Sequence, residues 1–299
     1  MLNAKYKNHL HLNFIVFIWG FTAVLGALIS IGATSLVWYR MGMSVVVLLI
    51  YAYWMQKSLQ QSAKAIFQFS LVGFLIAMHW MAFFYAIKIS NVSITLAAMS
   101  TGALFTTFLE PLFYRKKIVW YEVFFAIIAM LGLLVIYNVQ TTFTMGLLFG
   151  LIASFLSALF AVLNSKMVKK HEAYNITFYE LLAGFLFITV ILLLNGDFVS
   201  PSFFRLSFSD FGYIFILASV CTAYTMVAST NLLRKMSPFT MMLTINLEPV
   251  YGILLAVFIL GDSEIMQPKF YLGAALIIVS ILLNATLKLY PKILLSKKR

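Results

Sequence analysis

Thr244-Ile245-Asn246-Leu247-Glu248-Pro249-Val250-Tyr251 lies in the middle of an apolar run that extends from Pro238 to Gly261. A run of that length reads as a membrane-spanning helix. At 1.5 Å of rise per residue, Glu248 is about 15 Å from either end, close to the bilayer midplane. A bare carboxylate there costs at least ~3 kcal/mol, so it must be protonated, paired or turned to a wet cavity. Pro249 has no N–H, and its ring pushes against the carbonyl of Ile245. A helix break is therefore expected at this point. A buried acid beside a broken helix, with Asn246 and Tyr251 close by, is the makeup of a site inside a membrane. A kinked structural span, its acid satisfied by a neighbouring helix, would carry the same residues.

Composition agrees with the membrane reading. Of 299 residues, 63% are hydrophobic and 10% charged, where a soluble domain carries about 25% charged residues. The mean hydropathy is +0.99. The formal net charge of +12 would suggest nucleic acid for a soluble protein; here it reflects orientation in a bilayer, and no nucleic-acid partner is expected. The one cysteine, Cys221, falls inside a span, which leaves no disulfide and no cysteine metal site. The polar stretch from Met1 to Asn8 is too short for a targeting segment, and the long first span reads as an anchor.

Ten apolar runs follow one another, at 12–33, 35–55, 66–87, 92–114, 118–139, 144–165, 175–196, 210–233, 238–261 and 269–290. Each is long enough to cross about 30 Å of hydrocarbon as a helix. With the N-terminus in the cytoplasm, 17 of the 21 basic residues fall in cytoplasmic segments, the exceptions being Arg40, Lys88, Arg205 and Lys269. The opposite loops carry Asp197, Asp210, Asp262 and Glu264. This asymmetry places both termini inside a cytoplasmic membrane.

The chain also repeats itself. Trp19-Gly20-Phe21-Thr22-Ala23-Val24-Leu25 lines up with Ser157-Ala158-Leu159-Phe160-Ala161-Val162-Leu163, and Ala86 to Ser93 with Leu232 to Phe239. The halves are 1–140 and 141–299, with five spans each. An odd number of spans inverts the second half, which gives an all-α architecture of two inverted five-helix repeats with a substrate site at their interface. Leu109-Glu110-Pro111 repeats Leu247-Glu248-Pro249 but is not its equivalent. Aligned by span ends, Ala103 faces Pro249, and Glu110 is expected at the inner interface, paired with the loop Arg115-Lys116-Lys117.

On these residues the chain resembles the EamA-type permeases of the drug/metabolite transporter superfamily. Ser237-Pro238, then Asn246-Leu247-Glu248-Pro249-Val250, then Leu260-Gly261-Asp262 are similar to that family's Ser-Pro, Leu-Glu-Pro and Gly-Glu pattern, with Asp262 where Glu is usual. Trp19-Gly20, His79-Trp80, Tyr85-Ala86 and Gly132 extend the likeness into the first half, whereas Ala103 replaces the central proline of the fourth span. The resemblance implies export of amino acids or other small metabolites through a central cavity lined by both repeats.

His79, mid-way along the third span, reads as an interhelical tie, a substrate contact or a proton carrier; an unperturbed histidine titrates near pH 6.5. Glu248 and His79 are thus the proton-coupling candidates, and no metal set is present. Arg40 and Glu180 occupy matching positions in the two repeats, near the outer and inner faces respectively, so no ion pair is expected between them; either reads as snorkelling to its own interface, or Arg40 as neutralising an anionic group at the outer mouth. Trp19, Trp80, Tyr224 and Tyr251 lie deep enough to line a cavity, together with Asn246. Lys88 reads as a snorkelling residue at an outer helix end. Gly146, Gly150, Ser154 and Ala158 form a small-residue stripe that admits close helix approach. It reads first as an internal seam; used between chains it would make a homodimer.

No two of the fifteen glycines are five apart, so a phosphate loop of the G-x-x-x-x-G-K type is absent and no nucleotide or other cofactor is expected. The leading reading is a secondary transporter working by alternating access. The alternatives are a lipid or lipid-carrier flippase on the same fold, a membrane enzyme acting on lipid-linked substrates, for which only Glu110 beside Arg115–Lys117 offers a cluster, and a scaffold without transport. The first, third, fourth, sixth, eighth and ninth spans are expected to line the pathway, with the fifth and tenth at the periphery.

Overall fold

Hydrocarbon offers no partner for a backbone amide, so each apolar run must satisfy its own hydrogen bonds, which a helix does. The computed structural model describes residues 4–139 and 141–296, and these are helical in thirteen α-helical segments joined by short loops. The first half contains α1 (Ala4–Leu28), α2 (Ala33–Trp54), α3 (Ala63–Ile89), α4 (Val92–Met99), α5 (Gly102–Tyr114) and α6 (Trp120–Val139). The second contains α7 (Thr144–Met167), α8 (Ala173–Leu194), α9 (Phe208–Ala218), α10 (Thr225–Leu232), α11 (Pro238–Ile245), α12 (Glu248–Leu260) and α13 (Pro268–Ser296). Among the described residues nine stretches are long and apolar enough to cross a membrane, and the start of α13 supplies a shorter apolar helix, Pro268–Ser280. The basic residues Lys297, Lys298 and Arg299 lie outside the described residues.

Three of the expected spans are interrupted. The ninth is broken at Asn246 and Leu247, between α11 and α12, with Pro249 in the first turn of α12, where a proline costs nothing because that N–H has no helical partner. The fourth is broken at Ser100 and Thr101 although it holds no proline there. Its hydroxyls take over: Ser100 Oγ donates to the carbonyl of Ala97 at 2.6 Å, and Thr101 Oγ1 lies 2.7 Å from the carbonyl of Ala98 and 3.0 Å from Ser154 Oγ. The absence of a central proline therefore does not straighten this span. The eighth carries a π-helical turn, Ser219–Tyr224, between α9 and α10.

The two broken spans begin alike. Asn91 accepts from the amide of Ile94, and Ser237 from that of Thr240, each as an N-cap. They also end on one another. Glu264, in the turn after α12, accepts from the amides of Val92 and Ser93 at 3.0 and 2.8 Å and from Ser93 Oγ at 2.8 Å. Glu110, near the end of α5, accepts from the amide of Phe239 at 3.2 Å and from Lys116 at 2.9 Å. Each carboxylate thus sits on the positive end of the other span's helix. The expected pairing of Glu110 with the basic loop is present, and its contact with α11 was not foreseen.

Packing separates core from edge. α3 lies against α7 and α8, and α1 against α12. The small-residue stripe of α7 is used inside the chain: Gly150 lies against Ala98, Ser154 donates to the carbonyl of Met99 at 3.1 Å, and Ala158 is fully buried. At the edge α6 pairs with α13. They cross at Gly132 and Gly273, where a Cβ on either would sit 2.7 or 2.6 Å from the other's carbonyl oxygen.

Candidate functional site

The central cavity takes residues from seven spans. Trp19 and Thr22 come from α1, Arg40 from α2, and His79, Trp80 and Phe83 from α3. Met99 ends α4, and Ser157, Phe160 and Asn164 come from α7. Met226, Ser229 and Thr230 belong to α10, Met242 and Ile245 to α11, and Glu248 opens α12. The cavity volume is about 70 Å³, below the 300–1,000 Å³ typical of small-molecule sites, so the enclosure is narrow in this conformation. Its wall is apolar with a few convergent polar groups, as in such sites.

Trp19 is fixed by its indole N–H, which donates to Thr225 Oγ1 at 2.9 Å. His79 Nδ1 lies 2.7 Å from the carbonyl of Ala153. A carbonyl only accepts, so Nδ1 carries the proton, and Nε2 is the nitrogen left for other work. The imidazole meets Phe160 edge-on at 5.4 Å between centroids. Glu248 is buried at 8% exposure. Among the described residues its carboxylate takes part in neither of the ion pairs, Lys116–Glu110 and Arg234–Glu172.

Arg40 departs most from expectation. It was expected near the outer face, yet it is 1% exposed and lines the cavity. The helix begins at Ala33, so Arg40 is about 10 Å into it, too far to snorkel from a bundle interior. Its Nε donates to Thr222 Oγ1 at 2.6 Å, and its guanidinium lies 4.0 Å from the centroid of the Trp80 ring. Glu180 lies as far into α8 and is also fully buried, with no hydrogen bond to either carboxylate oxygen among the described residues. Neither of the two ion pairs joins it to Arg40.

Three expected cavity residues lie elsewhere. Tyr224 is 43% exposed and its hydroxyl is 2.9 Å from His11 Nε2. It precedes the cavity residue Met226 by two positions, roughly 200° around a helix, and so faces away. Tyr251 packs on α1, its ring edge-on to Phe17 at 5.5 Å and its Cβ against Gly20. A Cβ on Gly20 would come within 2.9 Å of it, so glycine is what lets the two helices meet. Asn246 is buried in the break, without a Nδ2 partner among the described residues, and does not line the cavity. Lys88, exposed at the end of α3, donates from its ammonium to the carbonyl of Ile29 just beyond the end of α1. Thr22, Ser157, Asn164, Ser229 and Thr230 carry no sequence signal of their own, because hydroxyls and amides are common in packed membrane helices.

The sequence profile of the EamA-like transporter family matches residues 10–138 and 144–286. The chain belongs to the EamA-like transporter family. It is a multi-pass membrane protein of a transporter family, and it spans about two thirds of the length of the curated relative that it matches. It is similar to an uncharacterized transporter of Clostridium kluyveri, at 19% identity over 208 residues, covering 67% of this chain and 65% of that protein. It is also similar to a solved crystal structure with a TM-score of 0.68 and 13% identity, covering 92% of this chain and 96% of the other. That likeness is one of fold.

Proposed function

We propose that this EamA-like transporter is a secondary carrier that exports amino acids or related small metabolites. It would sit in the cytoplasmic membrane with both termini inside. Residues 1–140 and 141–299 would act as two inverted halves rocking about the central cavity. The single observation that carries this reading is the cavity itself. Arg40, His79 and Trp80 from the first half meet Asn164 and Glu248 from the second within one enclosure. A lipid-sized substrate would need an opening to the side. The groove formed by Tyr51, Lys57, Tyr174, Tyr224 and Asn231 on the flank shares no residue with the cavity, which favours a water-soluble substrate over the flippase alternative.

Glu248 and His79 are the groups proposed to bind a coupling proton. Proton and substrate drive one another only if each alters the other's binding or the conformational balance. The test is counterflow of labelled amino acids and other small metabolites in proteoliposomes, with and without a pH gradient. Saturable exchange supports the carrier, and acceleration by the gradient supports coupling. If no water-soluble compound moves while labelled lipid is flipped, the flippase takes its place.

A further inference from the structure

Arg40 is hydrogen-bonded on one side and keeps an unpartnered, buried nitrogen on another. Thr222 Oγ1 accepts from Arg40 Nε and donates its own O–H to the carbonyl of Leu217, five residues back, at 2.7 Å. The carbonyl of Cys221 accepts from Arg40 Nη2 at 3.4 Å and from Thr225 Oγ1 at 2.8 Å. Both contacts depend on the π-helical turn, whose i→i+5 spacing turns Cys221 and Thr222 toward α2. Such turns inside α-helices are frequent at functional sites. Trp80 covers one face of the guanidinium at 4.0 Å, and Phe84 lies 5.5 Å from it. The remaining nitrogen, Nη1, is buried and has no hydrogen-bond partner among the described residues.

A buried guanidinium with a free N–H₂ and no ion pair is expensive unless something completes it. Glu248 lines the same cavity and its charge acts on Arg40 across it, but neither ion pair of the described residues joins the two. We propose that Arg40 binds the anionic group of the transported molecule, and that this group is a carboxylate. The inference rests on the carrier reading above. One cation with one free nitrogen matches one negative charge. A phosphate would leave surplus negative charge in an enclosure that already holds Glu248. The same carboxylate of Glu248 is a natural acceptor for a substrate ammonium, so the cavity selects molecules carrying both groups. Arg40 is then a specificity-determining residue on α2, a span outside the six expected to line the pathway.

The experiment is counterflow in proteoliposomes with the twenty L-amino acids, each set against its carboxamide and its decarboxylated amine. In the wild type, acids are expected to exchange or compete at least tenfold better than their amides and amines. In Arg40→Gln that preference should vanish, and in Arg40→Lys it should survive in part. Thr222→Val, which removes the acceptor behind Nε and changes no charge, should raise KM for acids more than for amides. If the wild type moves amides or amines as readily as acids, the inference falls and the carrier stands. The same holds if Arg40→Gln keeps the preference. If none of the acids, amides or amines moves, the carrier reading falls with it. The acid-to-amide ratio of the wild type needs no variant, so a misfolded Arg40→Gln protein cannot shelter the proposal.

Discussion

His79 and Glu248 face the same enclosure under different constraints. The histidine is tied by Nδ1 to the carbonyl of Ala153, so replacing it removes a structural bond as well as a cavity group. Glu248 has no such tie among the ion pairs of the described residues. Glu248→Gln, nearly the same in shape and removing neither ion pair of the described residues, should therefore leave the melting temperature in detergent within about 2 °C. It should lower substrate counterflow at least tenfold. His79→Ala should lower both, by about 1 kcal/mol in stability for the lost hydrogen bond and more for the emptied ring volume. Thermal unfolding measured beside counterflow separates the two. A large stability loss in Glu248→Gln would mean that its carboxylate is a structural group.

At the scale of elements, two helix breaks are reached by different chemistry. Pro249 disrupts the ninth span, and Ser100 and Thr101 disrupt the fourth by binding carbonyls that a continuous helix would use. Ala103 lies in the first turn of α5, where a proline loses no hydrogen bond. Ala103→Pro is expected to change stability by less than about 1 kcal/mol, apart from any crowding by the ring. Ala97→Pro, inside α4, should cost about 3 kcal/mol or more. Equal effects in a thermal melt would show that the fourth span is continuous in solution. The two carboxylate caps also rank. Glu264 is 2% exposed and serves two amides and a hydroxyl. Glu110 serves one amide and shares itself with Lys116, whose side chain is 57% exposed. Glu264→Ala should cost about 2–4 kcal/mol, since buried amides lose a charged acceptor. Glu110→Ala should cost about 1 kcal/mol, as an ordinary cap does. The reverse order in denaturation would contradict this account of the caps.

At the scale of the molecule, the proposed orientation is open to direct labelling. Cys221 is buried, so Cys221→Ser should yield a silent background. In that background Ser58→Cys and Val199→Cys lie at opposite ends of the bundle, on exposed positions. A membrane-impermeant maleimide applied to intact cells should label Val199→Cys, and should label Ser58→Cys only after the membrane is opened. Labelling of Ser58→Cys in intact cells would reverse the assignment drawn from the basic residues.

What the sequence determined by itself follows from the bilayer as solvent. Length and apolarity set the all-helical, multi-span class, the lysines and arginines set the expected sense of the spans, and Glu248 beside Pro249 pointed to one wall of the candidate cavity. These are local quantities, since the cost of an unpaired polar group in hydrocarbon rises with its depth, which the position in the span sets. The resemblance to EamA-type permeases rested on the same short motifs. The tertiary structure decided which faces meet. Tyr224 and Tyr251 look as deep as Trp19 and Trp80 in the sequence, but a helix turns about 100° per residue, and only packing says which way each ring points. Arg40 looked like an interface residue until the π-helical turn of another half supplied its partners. Glu264 looked like a loop acid until the start of α4 came against it. Both contacts join residues more than 170 positions apart, and no local pattern on ten similarly apolar helices specifies such a meeting.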